Sequence, residues 1–214
     1  MARPTAPLLS FGASGTVAKT VVYSKWKGRP YVRRHVIPSN PNTVSQQSTR
    51  GAFSVANAMW LTAPALLVAP WDRFAVGQVL TGRNAFVGRY VKDNRGQVDL
   101  ANLIFSPGAK GGLPPVSFSA AAGIGEITGT FVTPTPPDGW VVEAVVMAVV
   151  KDADPDTTLL TQIDAAEDAA APFDTVVISG LDTVLYRCGG WIRWAKPDGS
   201  IAYSVSLSDS ATPT

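Results

Sequence analysis

The apolar positions of this chain keep two different periods, and the change falls near the middle. Up to about residue 96 they recur mainly at helical spacing; beyond about residue 116 they alternate or run unbroken, as in strands. The first element is an exception, a β-hairpin over Thr16 to Ile37. Val17, Val21, Val22 and Tyr23 form one arm, Lys25 to Arg29 the turn, and Tyr31 to Ile37 the return. Gly28 gives that turn its freedom, and Pro30 fits only a strand start or an edge. Ser39-Asn40-Pro41-Asn42-Thr43 then breaks the chain and caps a helix at Asn42 or Thr43. Phe53, Ala56 and Trp60 mark its apolar face, and it runs to about Leu61. A second helix restarts after Thr62-Ala63-Pro64 with Leu67, Trp71, Phe74 and Ala75 on one side. A third follows the break at Thr81-Gly82-Arg83, carries Ala85, Phe86, Arg89 and Tyr90, and ends near Asn94-Arg95-Gly96. The three pieces predict a small helical cluster around Phe53, Trp60, Trp71, Phe74, Phe86 and Tyr90.

Residues 97–115 read as a linker, most clearly at Pro107-Gly108 and Gly111-Gly112-Leu113-Pro114-Pro115. Strands are expected at Glu126–Val132, Trp140–Val150, Thr158–Ile163, Thr175–Ile178, Val184–Trp194 and Ile201–Leu207, with Asp198-Gly199 as a tight hairpin turn. Trp140 to Val150 is the most apolar run, but about eleven residues with Glu143 among them make a buried strand; a membrane-crossing helix needs roughly 20. Six or seven short strands separated by Pro, Gly and Asp clusters predict an antiparallel β-sandwich. The fold class is therefore α+β and multidomain: an extended arm at 1–16, a hairpin and helical domain at 17–96, a linker at 97–115 and a sandwich at 116–214.

Charge changes this picture. Residues 1–95 hold 13 Lys/Arg against Asp72 and Asp93, a net +11; residues 96–214 hold 5 Lys/Arg against 14 Asp/Glu, a net −9. The overall +2 conceals a dipole, which suits head-to-tail contact between copies. Hydrophobic residues at 46% and charged residues at 16% exclude a disordered chain. The N-terminal residues carry too short an apolar run for a signal peptide, so the chain is expected to be soluble and made in a cytoplasm.

Candidate chemistry is sparse. A lone Cys188 excludes an internal disulfide and a Cys-rich zinc site. His35, the one histidine, lies about 150 residues away, so a Cys–His pair requires the two to meet across domains; a buried core cysteine is the plainer reading. No nucleophile elbow, phosphate loop or dinucleotide fingerprint occurs, and no enzyme or cofactor is expected. Asp152, Asp154 and Asp156 alternate as at the start of a calcium loop, but Thr157 and Ile163 stand where an EF-hand needs Gly and Glu. A looser site recruiting Asp164, Glu167 or Asp168 competes with a solvated acidic hairpin loop. Trp191 and Trp194, three apart in a strand, point to opposite faces and leave room for one to be exposed, the only platform for a glycan. The hairpin residues Lys25, Trp26, Lys27, Arg29, Tyr31, Arg33 and Arg34 interleave cations with aromatics and are the docking candidates. They suit an acidic protein surface, and less well a nucleic acid, because their side chains do not all converge.

Residues 15–95 resemble a pattern in virion structural proteins of tailed bacteriophages. It comprises Ser24-Lys25-Trp26-Lys27-Gly28-Arg29-Pro30-Tyr31-Val32-Arg33, Pro38 to Thr43, Gln46/Gln47, Arg50-x-x-Phe53, Ala58-Met59-Trp60, Pro70-Trp71 and Thr81 to Phe86. It covers about 40% of the chain. Ser179-Gly180-Leu181 followed by Tyr186 resembles the tyrosine corner of fibronectin type III domains, which occur with immunoglobulin-like domains as appendages on phage particles. The resemblance implies a particle component assembled with other virion proteins and with copies of itself in a symmetric array. It implies no catalytic residue, cofactor or membrane. The expected place is the tail or head–tail neck, with capsid decoration as the alternative. A nucleic-acid- or glycan-binding module is the reading of another class.

Overall fold

The computed structural model describes residues 14–26, 29–37, 39–40, 42–94, 100, 103–108, 113–152 and 163–214. It divides into two compact units, residues 1–42 and 43–214.

In the first unit β1 (Gly15–Val17), β2 (Val21–Trp26) and β3 (Arg29–Arg34) form an antiparallel sheet in that order. The hairpin pairs further toward its turn than its sequence pattern indicates, to Trp26 opposite Arg29, while the return strand stops at Arg34 and not at Ile37. The extra strand β1 folds back through Ala18 and Lys19, both in the left-handed region at φ 48° and 53°, where the Thr20 N–H donates to the Val17 carbonyl. Such a turn normally announces itself with Asn or Gly. Ala18-Lys19 gives no such signal.

In the second unit α1 (Val44–Thr62), α2 (Ala65–Ala75) and α3 (Gly82–Asp93) precede two sheets. Thr43 caps α1, accepting from the Gln46 N–H while the Gln46 side chain accepts from the Thr43 N–H. Thr81 caps α3 by accepting from the Asn84 N–H, so the expected break at Thr81-Gly82-Arg83 is a cap and first turn.

One sheet contains β4 (Ser117–Gly123), β5 (Glu126–Val132) and β8 (Thr175–Ser179) in the order 4-5-8. The other runs 10-9-6-7 through β10 (Ile201–Tyr203), β9 (Tyr186–Ala195), β6 (Val141–Lys151) and β7 (Ile163–Asp168), with β11 (Leu207–Ala211) also paired to β9. The strand expected at Ile201–Leu207 is thus two segments on one partner, and β4 has no counterpart in the sequence reading. Of the strand expected at Thr158–Ile163, only Ile163 lies within the described residues.

Strand β6 explains the layering. Val145, Met147 and Val149 face the three-stranded sheet and pack with Ile127, Phe131, Val176 and Ile178. Val146, Ala148 and Val150 face the helices and pack with Met59, Trp71 and Phe86. A strand with apolar layers on both sides carries no polar alternation, which is why this run reads as unbroken. The molecule is α+β: helices on one face of the larger sheet, the smaller sheet on the other.

Three sequence expectations are corrected by this arrangement. The helices do not form a cluster of their own; they share a core with β6 and β9. Described residues of the expected linker help to build that core: Leu100, Leu103 and Phe105 are buried in it, and the Trp71 Nε1–H donates to the Phe105 carbonyl at 3.0 Å. Phe53 is 56% exposed and Phe74 37%, because Ala52, Ala56 and Met59 on α1 and Leu67 and Trp71 on α2 hold the inward face.

Candidate functional site

The docking candidates lie on the first unit's sheet. Cross-strand partners share a face, so the register sorts them. Pairs Val22–Arg33, Ser24–Tyr31 and Trp26–Arg29 put Trp26, Arg29, Tyr31 and Arg33 on one face. Pairs Val21–Arg34, Tyr23–Val32 and Lys25–Pro30 put Lys25 and Arg34 on the other, beside the apolar Val17, Val21, Tyr23 and Val32. Lys27 lies outside the described residues. Six named residues are therefore split four to two: an aromatic–arginine face and an apolar face ended by cations.

No described residue of this unit is buried, and Trp26 is 66% exposed. Two or three short strands without a covered apolar face are at most marginally stable. Residues 1–42 carry seven Lys/Arg and no Asp or Glu, so nothing within the unit neutralises the cations.

The acidic residues of the second unit are spent differently. Arg193 Nε donates to Glu143 Oε2 at 2.9 Å, and its Nη1 donates to Glu167. Glu143 reaches it because a register irregularity between Val142 and Ala144 makes it the extra residue on β6. Burial alone would push the Arg193 guanidinium down; Glu167 and Glu143 outweigh it and hold it above its ordinary value. Burial pushes the neighbouring Tyr203 phenol up. Arg187 Nε bonds Asp152 Oδ2 at 2.7 Å, and Lys151 Nζ bonds Asp182 Oδ2 at 2.6 Å. These are cross-strand and strand-end ties.

Asp152 thus serves Arg187, and Asp154 and Asp156 lie outside the described residues. Asp164, Glu167 and Asp168 stand on strand β7, not in a loop. Among the described residues no group of three His, Cys, Asp or Glu is placed to hold a metal. Cys188 is fully buried, and burial pushes its thiol up to about 12, so it is a neutral core group at physiological pH. Trp191 and Trp194 do point to opposite faces, yet both are fully buried, because β9 is covered on both sides. Neither offers a platform to a glycan. Trp140 is partly exposed beneath the Lys196 ammonium, 4.6 Å from its ring centroid.

The sequence reading missed the helical surface. Two apolar grooves of about 420 and 480 Å³ flank α3 and share Asn84, Gly88 and Lys92. Phe53 and Phe74, expected in the core, line them instead. The signal was present in Gly88, an unexplained glycine inside a helical pattern. Among the described residues no single helix is long and apolar enough to cross a membrane; α1 and α2 pass that test only together, bent by 113°.

No family model and no curated protein matches this chain. Among solved structures it is similar to a computationally redesigned β-sandwich protein, at 15% identity and a TM-score of 0.34, over 47% of this chain and 88% of that one.

Proposed function

We propose that this chain is a structural component of a tailed-phage virion, built into the tail or neck through its basic N-terminal sheet. One observation carries the reading: residues 1–42 form a unit without a single carboxylate, and none of its described residues is buried. Such a sheet gains stability by covering its faces with a neighbour, and an acidic neighbour is the one its charge accepts. The sequence pattern over residues 15–95 adds the particle context.

The second unit's sheets serve as the projecting or ring-forming body. Strand orders 4-5-8 and 10/11-9-6-7 match the allotment of a fibronectin type III sandwich. Tyr186 Oη accepts from the Asp182 N–H at 3.1 Å, beside the buried Leu181, in the manner of a tyrosine corner. A decoration role on the capsid surface is the same assembly at another address.

The test is mass spectrometry of particles purified from the phage that encodes this chain, with image reconstruction to place it. Copies at a tail or neck symmetry are expected. Copies across the capsid lattice would make it a decoration protein, and absence from the particle would overturn the structural reading.

The face bearing Trp26, Arg29, Tyr31 and Arg33 also favours a second reading, binding of single-stranded nucleic acid by stacking and phosphate contact. That binding would fall steeply with salt. A flat salt response removes it.

A further inference from the structure

We propose that the free edge of β3 pairs with the free edge of β7 in a second copy of this chain, extending the larger sheet across the contact. The inference rests on the docking role given above to the N-terminal sheet, for which it names a neighbour, and not on the particle context.

Both strands end their sheets, β3 in the order 1-2-3 and β7 in the order 10-9-6-7. A few hydrogen bonds fix which backbone groups each edge leaves open. The His35 N–H donates to the Thr20 carbonyl at 2.7 Å, in register with the β2–β3 pairs. Alternation then turns the backbone groups of Arg29, Tyr31 and Arg33 toward β2 and those of Pro30, Val32 and Arg34 outward. Pro30, which has no N–H, stands where an edge strand tolerates it. On the other strand the Asp152 N–H donates to the Leu185 carbonyl at 2.9 Å, and the Ser204 N–H to the Ile192 carbonyl at 2.9 Å. Ile192 thus turns away from its β6 partner Val145, so Val145, Met147 and Val149 bond toward β7, opposite Asp168, Ala166 and Asp164. Ile163, Ala165 and Glu167 are left with outward N–H and C=O groups. An antiparallel pairing of the two edges must therefore set Pro30, Val32 and Arg34 against that outward set.

Side-chain charge selects one register from those that remain. Arg29 and Arg33 share one face of β3, and Asp164 and Asp168, at the same spacing, share one face of β7. Setting Val32 opposite Ala165 brings Arg33 opposite Asp164, Tyr31 opposite Ala166 and Arg29 opposite Asp168. It also gives the Glu167 N–H the Pro30 carbonyl as acceptor. A slip of two residues either way loses both ion pairs. All four charges are available: among the described residues none of them has an ion-pair partner, whereas Glu143, Asp152, Glu167 and Asp182 are tied to cations. Charged edges turn away most strands. These two repel their own kind and match each other, so a β3–β3 contact between copies would only crowd arginines together.

The experiment is sedimentation velocity of the full chain over a concentration series, for wild type, Arg29→Glu/Arg33→Glu, Asp164→Lys/Asp168→Lys and an equimolar mixture of the two variants. Wild type is expected to self-associate as concentration rises. Each variant alone should associate about tenfold or more weakly. The mixture should recover the wild-type behaviour, because each altered edge then meets its complement, and recovery also shows that both variants are folded. A second readout fixes the register: Tyr31→Cys/Ala166→Cys should form an intermolecular disulfide on mild oxidation, and Tyr31→Cys/Ala165→Cys should not, since Ala165 faces the other side. A wild-type chain that stays monomeric, variants that associate as wild type does, or equal cross-linking of the two cysteine pairs would each overturn the proposal. Copies found in the particle from a chain that does not self-associate would overturn this contact and leave the particle reading standing.

Discussion

At the residue scale the most telling side chains are those whose partners the sequence cannot name. Cys188 looks reactive only while its surroundings are unknown; between the two sheets it is a small apolar filler. Its folded pKa of about 12 stands above the ordinary thiol value near 8.5. The folded state therefore holds the proton more tightly than the unfolded one. Its contribution to stability is fully present below the unfolded value and is lost as pH rises from about 9 toward 12. Native protein should resist iodoacetamide at neutral pH and react fully once unfolded in denaturant. Native labelling as fast as that of the unfolded chain would place this thiol at a surface. Tyr186 was legible from Ser179-Gly180-Leu181 because its bond to the Asp182 N–H closes over four residues, and local chemistry leaves a local trace. The tie between Arg193 and Glu143 left none, since it spans 50 residues and depends on a strand irregularity.

At the element scale, type was easier to read than surroundings. Strand β6 was visible as an apolar run, and α1 to α3 as helical spacing, with a cap legible only for α1. The inward faces of α2 and α3 were read rightly at Leu67, Trp71, Ala75, Phe86 and Tyr90, but Phe53 on α1 was misjudged, because it outranks Ala52 and Ala56 in hydrophobicity while the small residues allow close packing. Strand β9 shows the same principle more sharply. Its centre, Gly189-Gly190, looks like a weak spot in a strand. A Cβ on Gly189 would collide with the Phe105 ring from the helical side, and one on Gly190 with Phe118 and Phe131 from the other sheet. The two glycines let aromatic rings of both outer layers press onto the central sheet. Gly189→Ala and Gly190→Ala should each destabilise the second unit by about 1–3 kcal/mol, the usual cost of overpacking, measured by urea denaturation. An unchanged midpoint for either would contradict this account of β9.

At the scale of the whole molecule the charge dipole was plain in the sequence, but its division was not. The change from helical to strand-like periods suggested a boundary at 97–115, whereas the compact units divide after Asn42. The apparent linker misled because a short extended segment such as 103–106, wedged between layers, has no period of its own, and Leu103 and Phe105 are too few to announce a core. What remains outside the second unit is a cationic sheet lacking any buried residue among those described. The central claim is that this sheet is an assembly element, stabilised by what it docks onto. Hydrogen exchange across β1 to β3 tests that most directly, comparing the free chain with the chain in the proposed assembly. The account predicts rapid exchange of these amides in the free chain and strong protection in the assembly. Equal protection in both states would make the sheet a self-sufficient fold and contradict the claim.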